Sequence, residues 1–239
     1  MIFVIGDVHG EISKLESLLK NIADIDKNPQ YVFIGDCINK GEDSKAVLDK
    51  LITMENAVFL MGNHEYYYLS YLKNGSCADK LIKYGEKSTF VDLEMTLDTI
   101  NERLYQPYRA YFDNLKNFYE TDEYFICHSG LPAEFYGTPP ESIPTEEFIH
   151  NRYDFFCNMN MMRGRKIIFG HTGFFHVYVD DVKIGLDTSA VYIRENPLTA
   201  FCTDYGFLVD SAGELYRPQD VKTCPCIVRK EPYRYGDAE

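Results

Sequence analysis

Five short, largely apolar runs, Ile2 to Ile5, Tyr31 to Ile34, Ala57 to Met61, Glu123 to Cys127 and Lys166 to Phe169, read as β-strands. Between the first three, Glu11 to Ala23 and Glu42 to Glu55 carry apolar residues at helical spacing and read as crossover helices. Residues 66–120 are polar, tyrosine-rich and helical in pattern, with breaks at Lys73-Asn74-Gly75 and before Pro107. Residues 131–165 hold four prolines and read as an irregular region with one short helix near Thr145 to Asn151. From Lys166 the strands crowd together: Phe175 to Asp180, Val182 to Leu186, Leu198 to Thr203, Gly206 to Val209 and Glu214 to Tyr216. A second sheet is implied. The expected fold is α/β, a four-layer α-β-β-α sandwich of two mixed sheets flanked by helices. One domain spans residues 1–216 with a helical insertion at 66–120, and an extended or partly disordered tail follows at 217–239.

The residues at the end of each of the five runs change the picture from fold to chemistry. Gly6-Asp7-Val8-His9-Gly10, Gly35-Asp36-Cys37, Gly62-Asn63-His64-Glu65, His128-Ser129-Gly130 and Gly170-His171-Thr172 each sit directly after one of them. In open α/β sheets ligands bind outside the carboxyl ends of the strands. Carboxylate, imidazole and amide donors together suit hard or borderline divalent metals. Asp7 and His9 are two apart and can turn to one ion, Asp36 can bridge two ions, and Asn63, His128 and His171 can complete the second. A single such segment could be a tight turn with a solvated carboxylate. Five in succession, taking four of the six histidines, favour a metal pair. His150 and His176 lie outside these segments and receive no ligand role.

The order and spacing of these segments resemble the calcineurin-like metallophosphoesterase superfamily, specifically its phosphoprotein phosphatase branch. That branch carries Gly-Asp-x-His-Gly, Gly-Asp-x-Val-Asp-Arg-Gly, Gly-Asn-His-Glu, His-x-Gly and Gly-His-Thr. Gly170-His171-Thr172-Gly173 favours it over branches ending in Gly-His-x-His, and Gly185-Leu186-Asp187-Thr188 is similar to its Gly-Ile-Asp-Thr-Gly, with Ser189 for the last glycine. The resemblance runs from residue 2 to about residue 215. It implies the same sandwich, two divalent ions (manganese, with iron or zinc as alternatives) and hydrolysis of phosphomonoesters by a metal-bridged hydroxide, as in bacterial serine/threonine protein phosphatases. His64 would be the general acid for the departing alkoxide, a contribution typically worth about 10²-fold to 10⁴-fold.

One departure bears on that mechanism. Where the family has Asp-Arg, this chain has Asn39-Lys40. Asn39 can accept a hydrogen bond from His64 but supplies no negative charge to keep the imidazole protonated. Lys40 keeps a positive charge but lacks the planar fork that grips two phosphate oxygens. Proton donation and phosphate grip are both expected to weaken, and seryl phosphates to turn over more slowly than aryl phosphates. Arg152, in Ile149-His150-Asn151-Arg152-Tyr153-Asp154-Phe155, is similar to the phosphate-contacting arginine of the bacterial members. Asn63 would contact substrate as well as metal. Two other functions fit the same motifs: symmetrical dinucleoside tetraphosphate hydrolysis, and a non-catalytic binding module suggested by Asn39 and Lys40.

Composition narrows the partners. With 24 basic and 37 acidic residues the net charge is −13, which disfavours nucleic acid as a bulk partner. A phosphorylated protein or small phosphorylated metabolite remains compatible, because two ions with Lys40 and Arg152 make the site itself positive. Among the 19 tyrosines, Tyr66-Tyr67-Tyr68 directly follows the third motif and could face substrate, with helix packing expected for at least two of them. There is no apolar stretch of about 20 residues to cross a membrane. Seven scattered cysteines and a metal motif beginning at Gly6, with no room for a signal peptide, point to reduced thiols and a cytoplasmic location. Cys37, beside Asp36, could confer sensitivity to oxidation or be an inert buried thiol. Cys224-Pro225-Cys226 alone is weak for zinc and is read as structural. The oligomeric state is left open.

Overall fold

A computed structural model describes residues 1–221; Cys224, Cys226 and the rest of the tail lie outside the described residues. Among the described residues eleven strands form two mixed sheets. β1 (Ile2–Ile5), β2 (Gln30–Phe33) and β3 (Ala57–Phe59) are parallel, and β9 (Thr199–Cys202), β10 (Phe207–Asp210) and β11 (Leu215–Tyr216) extend the sheet in the order β11-β10-β9-β1-β2-β3. The second sheet runs β4-β5-β6-β8-β7, from β4 (Phe118–Glu120), β5 (Tyr124–Cys127), β6 (Lys166–Phe169), β8 (Lys183–Gly185) and β7 (Tyr178–Val179). Within it β5, β6 and β8 are parallel, and the two outer strands are antiparallel.

The two-residue period of the strands divides their apolar side chains between three cores. Val4, Val32, Ile126, Ile168, Ile184, Phe201 and Leu208 fill the space between the sheets. Their neighbours Phe3, Ile5 and Phe33 face outward against Leu15, Leu18 and Ile22 of α1 (Ile12–Ile25) and Val47, Leu48 and Leu51 of α2 (Ser44–Leu51). On the opposite outer face Phe125, Cys127, Ile167 and Phe169 meet Phe148, Phe155 and Phe174. Helix, sheet, sheet and an outer layer of short helices and loops make the expected four layers.

The differences are local. The insertion is helical through α3 (Asn63–Asn74) and α4 (Ala78–Gly85), and Gly75 caps α3 in the left-handed conformation with φ 75. Its end is a strand: Phe118–Glu120 pairs with β5. An aromatic, half-buried Phe-Tyr stretch fits a pleated surface, and that tertiary pairing overrides the helical pattern before it. Within the run Phe175 to Asp180 the strand itself is Tyr178–Val179. The one short helix expected near Thr145 to Asn151 is found at Glu146–Ile149, and a second at Tyr153–Cys157 lies in the region expected to be irregular. No helix among the described residues is long and apolar enough to cross a membrane.

Candidate metal centre

Each segment singled out in the sequence turns off the carboxyl end of a strand toward the seam between the sheets. Two turns interlock there: His9 and Gly10 donate backbone N–H bonds to the carbonyls of Asp36 and Cys37, both at 2.9 Å. Gly35 (φ 101) and Gly62 let the second and third segments touch, because a Cβ on Gly35 would lie 2.5 Å from the Gly62 nitrogen. The buried Glu65 carboxylate ties the same two segments, accepting from the N–H groups of Asp36 (2.8 Å), Cys37 (2.9 Å) and Gly62 (3.2 Å). Six non-glycine residues here hold left-handed backbone: His9, Asp36, Asn39, Lys40, His171 and Ser189. Such conformations cost roughly 1–3 kcal/mol each and persist only where the surroundings over-determine them.

The second half of the site is closely drawn. His128 Nδ1 is 2.9 Å from the Ile34 carbonyl, which fixes a proton there and leaves Nε2 to face Asn63 Oδ1 at 3.1 Å and Asp36 Oδ1 at 3.5 Å. His171 Nδ1 is 2.7 Å from the same Asn63 oxygen. Ligand atoms of Asp36, His128 and His171 lie within 4.8 Å of one another. An amide oxygen facing two imidazole nitrogens beside a carboxylate is a donor set that fits a divalent cation.

In the first half, His9 Nδ1 is held by the Ile38 carbonyl at 3.1 Å, and Nε2 lies 3.5 Å from Asp36 Oδ2 and 4.0 Å from Asp7 Oδ2. His64 Nε2 approaches Asp36 Oδ2 at 3.8 Å, so His64 stands as near this cluster as Asp7 does. Asp7 Oδ2 accepts the His171 N–H at 3.0 Å, whereas its Oδ1 is buried without a hydrogen-bond partner. A buried, unpartnered carboxylate oxygen calls for a cation. The residues therefore fit a metal at both positions, with Asp36 common to the two.

Charge in the cluster points the same way. Burial, with Asp187 and Asp36 beside it, pushes Asp7 well above the usual carboxylate range; burial raises Asp36 to about 7, and raises Asp187. Burial also holds His9, His64 and His171 well below the ordinary imidazole value and lowers His128 to about 3. Neutral imidazoles keep their lone pairs free for ligation, and carboxyls that resist ionisation alone ionise when a cation arrives.

Around this centre, Lys40 donates to His9 Nε2 at 2.8 Å and lies 5.3 Å over the Tyr192 ring. Burial works against its charge, but Tyr192, Asp36 and Asp187 outweigh it and hold the ammonium above its usual range. Arg152 is at the rim, with Nη1 3.4 Å from Thr172 Oγ1. Asn39 is completely buried 2.8 Å from His64. Its contact differs from expectation: Tyr68 donates to Asn39 Oδ1 at 2.7 Å, so the atom left to face His64 Nδ1 is the amide nitrogen, a donor. Of the three tyrosines after the third motif, Tyr68 is fully buried, Tyr66 reaches Glu146, and Tyr67 hydrogen-bonds Asn63 at 3.2 Å. Cys37 is buried, and burial with Glu65 pushes its thiol up, which makes it the inert alternative. His150 joins the edge of the site, 6.4 Å from His171 and stacked on Tyr67 at 5.9 Å.

Residues 1–209 match the calcineurin-like phosphoesterase family. The chain belongs to that family. Serine/threonine-protein phosphatase 7 of Arabidopsis thaliana is 35% identical over 95 residues, which are 38% of this chain and 23% of that protein. This chain thus aligns with less than a quarter of the length of that relative. The asymmetrical Bis(5'-nucleosyl)-tetraphosphatase PrpE of Oceanobacillus iheyensis is 25% identical over 226 residues, covering 83% of this chain and 86% of that one. The cold-active protein-tyrosine phosphatase of a psychrophilic Shewanella shares the fold, with a TM-score of 0.65 at 13% identity over 91% of this chain and 80% of the other.

Asp187 and Tyr192 stand near the centre and the sequence assigned them no role, whereas Tyr68 was read only as one of three tyrosines for packing or substrate. Asp187 follows β8 as the other candidate ligands follow their strands, and that placement could have drawn it in. Tyr68 lies four residues after His64, on the same face of α3.

Proposed function

We propose that this chain is a dinuclear-metal-dependent phosphoesterase acting on phosphomonoesters, of the serine/threonine protein phosphatase kind. The observation that carries this reading is the convergence of two ligand groups on one carboxylate, Asp36, with the unpartnered Asp7 oxygen beside it. Asp7, His9 and Asp36 would hold one ion, and Asp36, Asn63, His128 and His171 the other, with manganese the favoured metal. When bound, such a pair supplies Lewis acidity toward the phosphoryl oxygens and makes a water nucleophilic near neutral pH. The chain's own groups do the rest. Lys40, with Arg152 at the rim, attracts and orients the phosphate, and His64 Nε2 faces the oxygen that departs.

Dinucleoside polyphosphate hydrolysis is the second reading, favoured by the relative that aligns over 83% of this chain. A non-catalytic binding module would have little use for a buried Asp7 oxygen that lacks a partner. The five described cysteines are free, in keeping with a reducing cytoplasmic location. A manganese-supplemented panel of aryl phosphate, phosphoserine peptide and dinucleoside tetraphosphate tests the reading, with Asp7→Asn as control. Turnover of at least one phosphomonoester, abolished in Asp7→Asn, is expected. Cleavage of the dinucleotide alone would transfer the reading to the second function, and failure to bind manganese, iron or zinc would end both.

A further inference from the structure

We propose that Ser88 and Thr89 of the insertion are positioning residues for phosphate binding: their hydroxyls hold Asn39 and Lys40 in left-handed backbone and so aim the Lys40 ammonium at the phosphoryl group. The insertion, and not only the strand-end segments, then sets the grip on substrate. The inference deepens the phosphoesterase reading and rests on it for the identity of the ligand.

Asn39 and Lys40 are successive non-glycine residues with φ 68 and φ 71, in the loop between β2 and α2. That conformation crowds Cβ against the following carbonyl oxygen; the short polar side chain of asparagine can offset the crowding with a local hydrogen bond, and lysine has no such offset. It persists only where the surroundings impose it. Here the restraint comes from a stretch 48 to 50 positions later in the chain. The Lys40 N–H donates to Ser88 Oγ at 3.0 Å, and the Asn39 N–H is 3.0 Å from both Thr89 Oγ1 and Ser44 Oγ. Thr89 Oγ1 donates to Ser44 Oγ at 2.8 Å, and Asp92, at the end of the short helix α5 (Thr89–Asp92), accepts the Ser44 N–H at 2.7 Å. From the other side the Gly41 N–H donates to the His9 carbonyl at 2.9 Å, which leaves no room for a Cβ on Gly41 against that oxygen. The turn is therefore clamped between the first strand-end segment and the insertion. Tyr84, just before this stretch, lies 5.2 Å from the His64 ring, so the insertion also walls the centre on this side.

Burial is what makes these bonds decisive. Ser88 and Thr89 are 5% and 0% exposed, so solvent does not supply a partner where a hydroxyl is lost. Without Ser88 the Lys40 N–H is orphaned; without Thr89, Ser44 alone holds the Asn39 N–H and the tie to the insertion is gone. An orphaned buried N–H is unfavourable, and the peptide relieves it by rotating out of the left-handed region. That rotation redirects the Cα–Cβ bond of Lys40, whose ammonium now reaches His9 Nε2 at 2.8 Å and lies 5.3 Å over the Tyr192 ring. A point charge on a flexible four-carbon stem has no planar fork with which to recover its register, so its placement depends on the backbone that carries it. A role in packing alone would instead give less stable variants with the same affinity for phosphate.

Calorimetry with inorganic phosphate on the manganese-loaded protein tests this without turnover, beside KM and kcat on an aryl phosphate. Ser88→Ala is expected to raise the phosphate Kd and KM about tenfold, no more than Lys40→Met does, with the loss falling on KM rather than kcat and bound manganese unchanged. Thr89→Val is expected to raise both by less, and Thr89→Ser, which keeps the hydroxyl, to restore the native values. In a Lys40→Met background Ser88→Ala should add no further loss, because its effect passes through that side chain. Ser88→Ala removes one oxygen and Thr89→Val keeps the side-chain shape, so either carries the test if the other does not fold. Native phosphate affinity in these variants, or an equal loss with the Lys40 charge already removed, overturns the inference and leaves the phosphoesterase reading standing. A native chain that binds manganese but neither binds phosphate nor turns over a phosphomonoester overturns both.

Discussion

In the half of the site formed by Asn63, His128 and His171, polar atoms face one another at 2.7 and 3.1 Å and the rings are anchored across the sheets, His128 to the Ile34 carbonyl. The half formed by Asp7 and His9 is more charged: Asp36 stands 3.5 Å from an imidazole in both halves, but here the other carboxylate, Asp7, lies 4.0 Å from His9, an Asp7 oxygen is unpartnered, and Asp187 adds a third buried carboxyl beside Asp7 and Asp36. Lys40 enters this half and not the other. One half is therefore set by geometry among neutral donors, and the other by an electrostatic demand that a chain cation meets only in part. Asp36, with an oxygen toward each, is where the two requirements meet.

That arrangement implies that removing Asp36 costs more than removing a ligand of either half. Asp36→Ala should lower kcat/KM on an aryl phosphate by several kcal/mol of transition-state stabilisation, roughly 10³-fold or more. It should also reduce bound manganese below one ion per chain by elemental analysis. His171→Ala, which touches the second half only, should retain one. Equal metal loss in the two variants would remove the distinction between the halves.

A smaller effect separates charge from geometry through stability. Asp36 and Glu65 are both raised to about 7, chiefly by burial, so the native chain keeps protons that the unfolded chain has already released. These two carboxyls should then cost the metal-free protein stability as pH rises from the ordinary carboxylate range through about 7, while the four buried histidines, held neutral, cost it stability as pH falls below about 6.5, so the carboxyl loss shows on its own only at the upper end of that window. Ligation needs the ionised carboxylate, so manganese should stabilise most above that window and progressively less below it. At a hundredfold excess over Kd the gain is about 2.7 kcal/mol, read as a rise in Tm against a chelator control. The same manganese shift at acid and alkaline pH would show that the carboxyls are not the demand.

The sequence made the strands and the candidate ligands legible for one reason: each ligand follows within a few residues of an apolar run that forms a strand, and both signals are local. The period that divides Phe3 and Ile5 from Val4 could likewise be read ahead of the structure. Phe118–Glu120 could not, because its strand character comes from pairing with β5 rather than from its own pattern. The direction of the Asn39 to His64 contact was hidden too. Asparagine can donate or accept, and the sequence does not show that Tyr68, 29 positions away, meets its Oδ1. Asp187 was visible as a motif without a role, since its effect on Asp7 arises from spacing across the seam between loops.

The smallest expected effect bears on what Lys40 contributes to the charged half. Its ammonium touches His9 and is held charged by Tyr192, Asp36 and Asp187, so it is positioned to lend its charge to a phosphate entering from the Tyr192 side. Lys40→Met keeps the length of the stem and deletes that charge. A hydrogen bond to a charged group is worth about 1.5–3 kcal/mol, so KM on an aryl phosphate should rise about tenfold or more. Lys40→Arg restores the charge and adds the planar fork, and it should bring KM back to the native value or below it. If Lys40→Met instead left KM unchanged and lowered bound manganese, Lys40 would belong to the metal half it touches and not to the substrate, and the wider Asp7 to His9 spacing there would have to be explained by the three carboxyls alone.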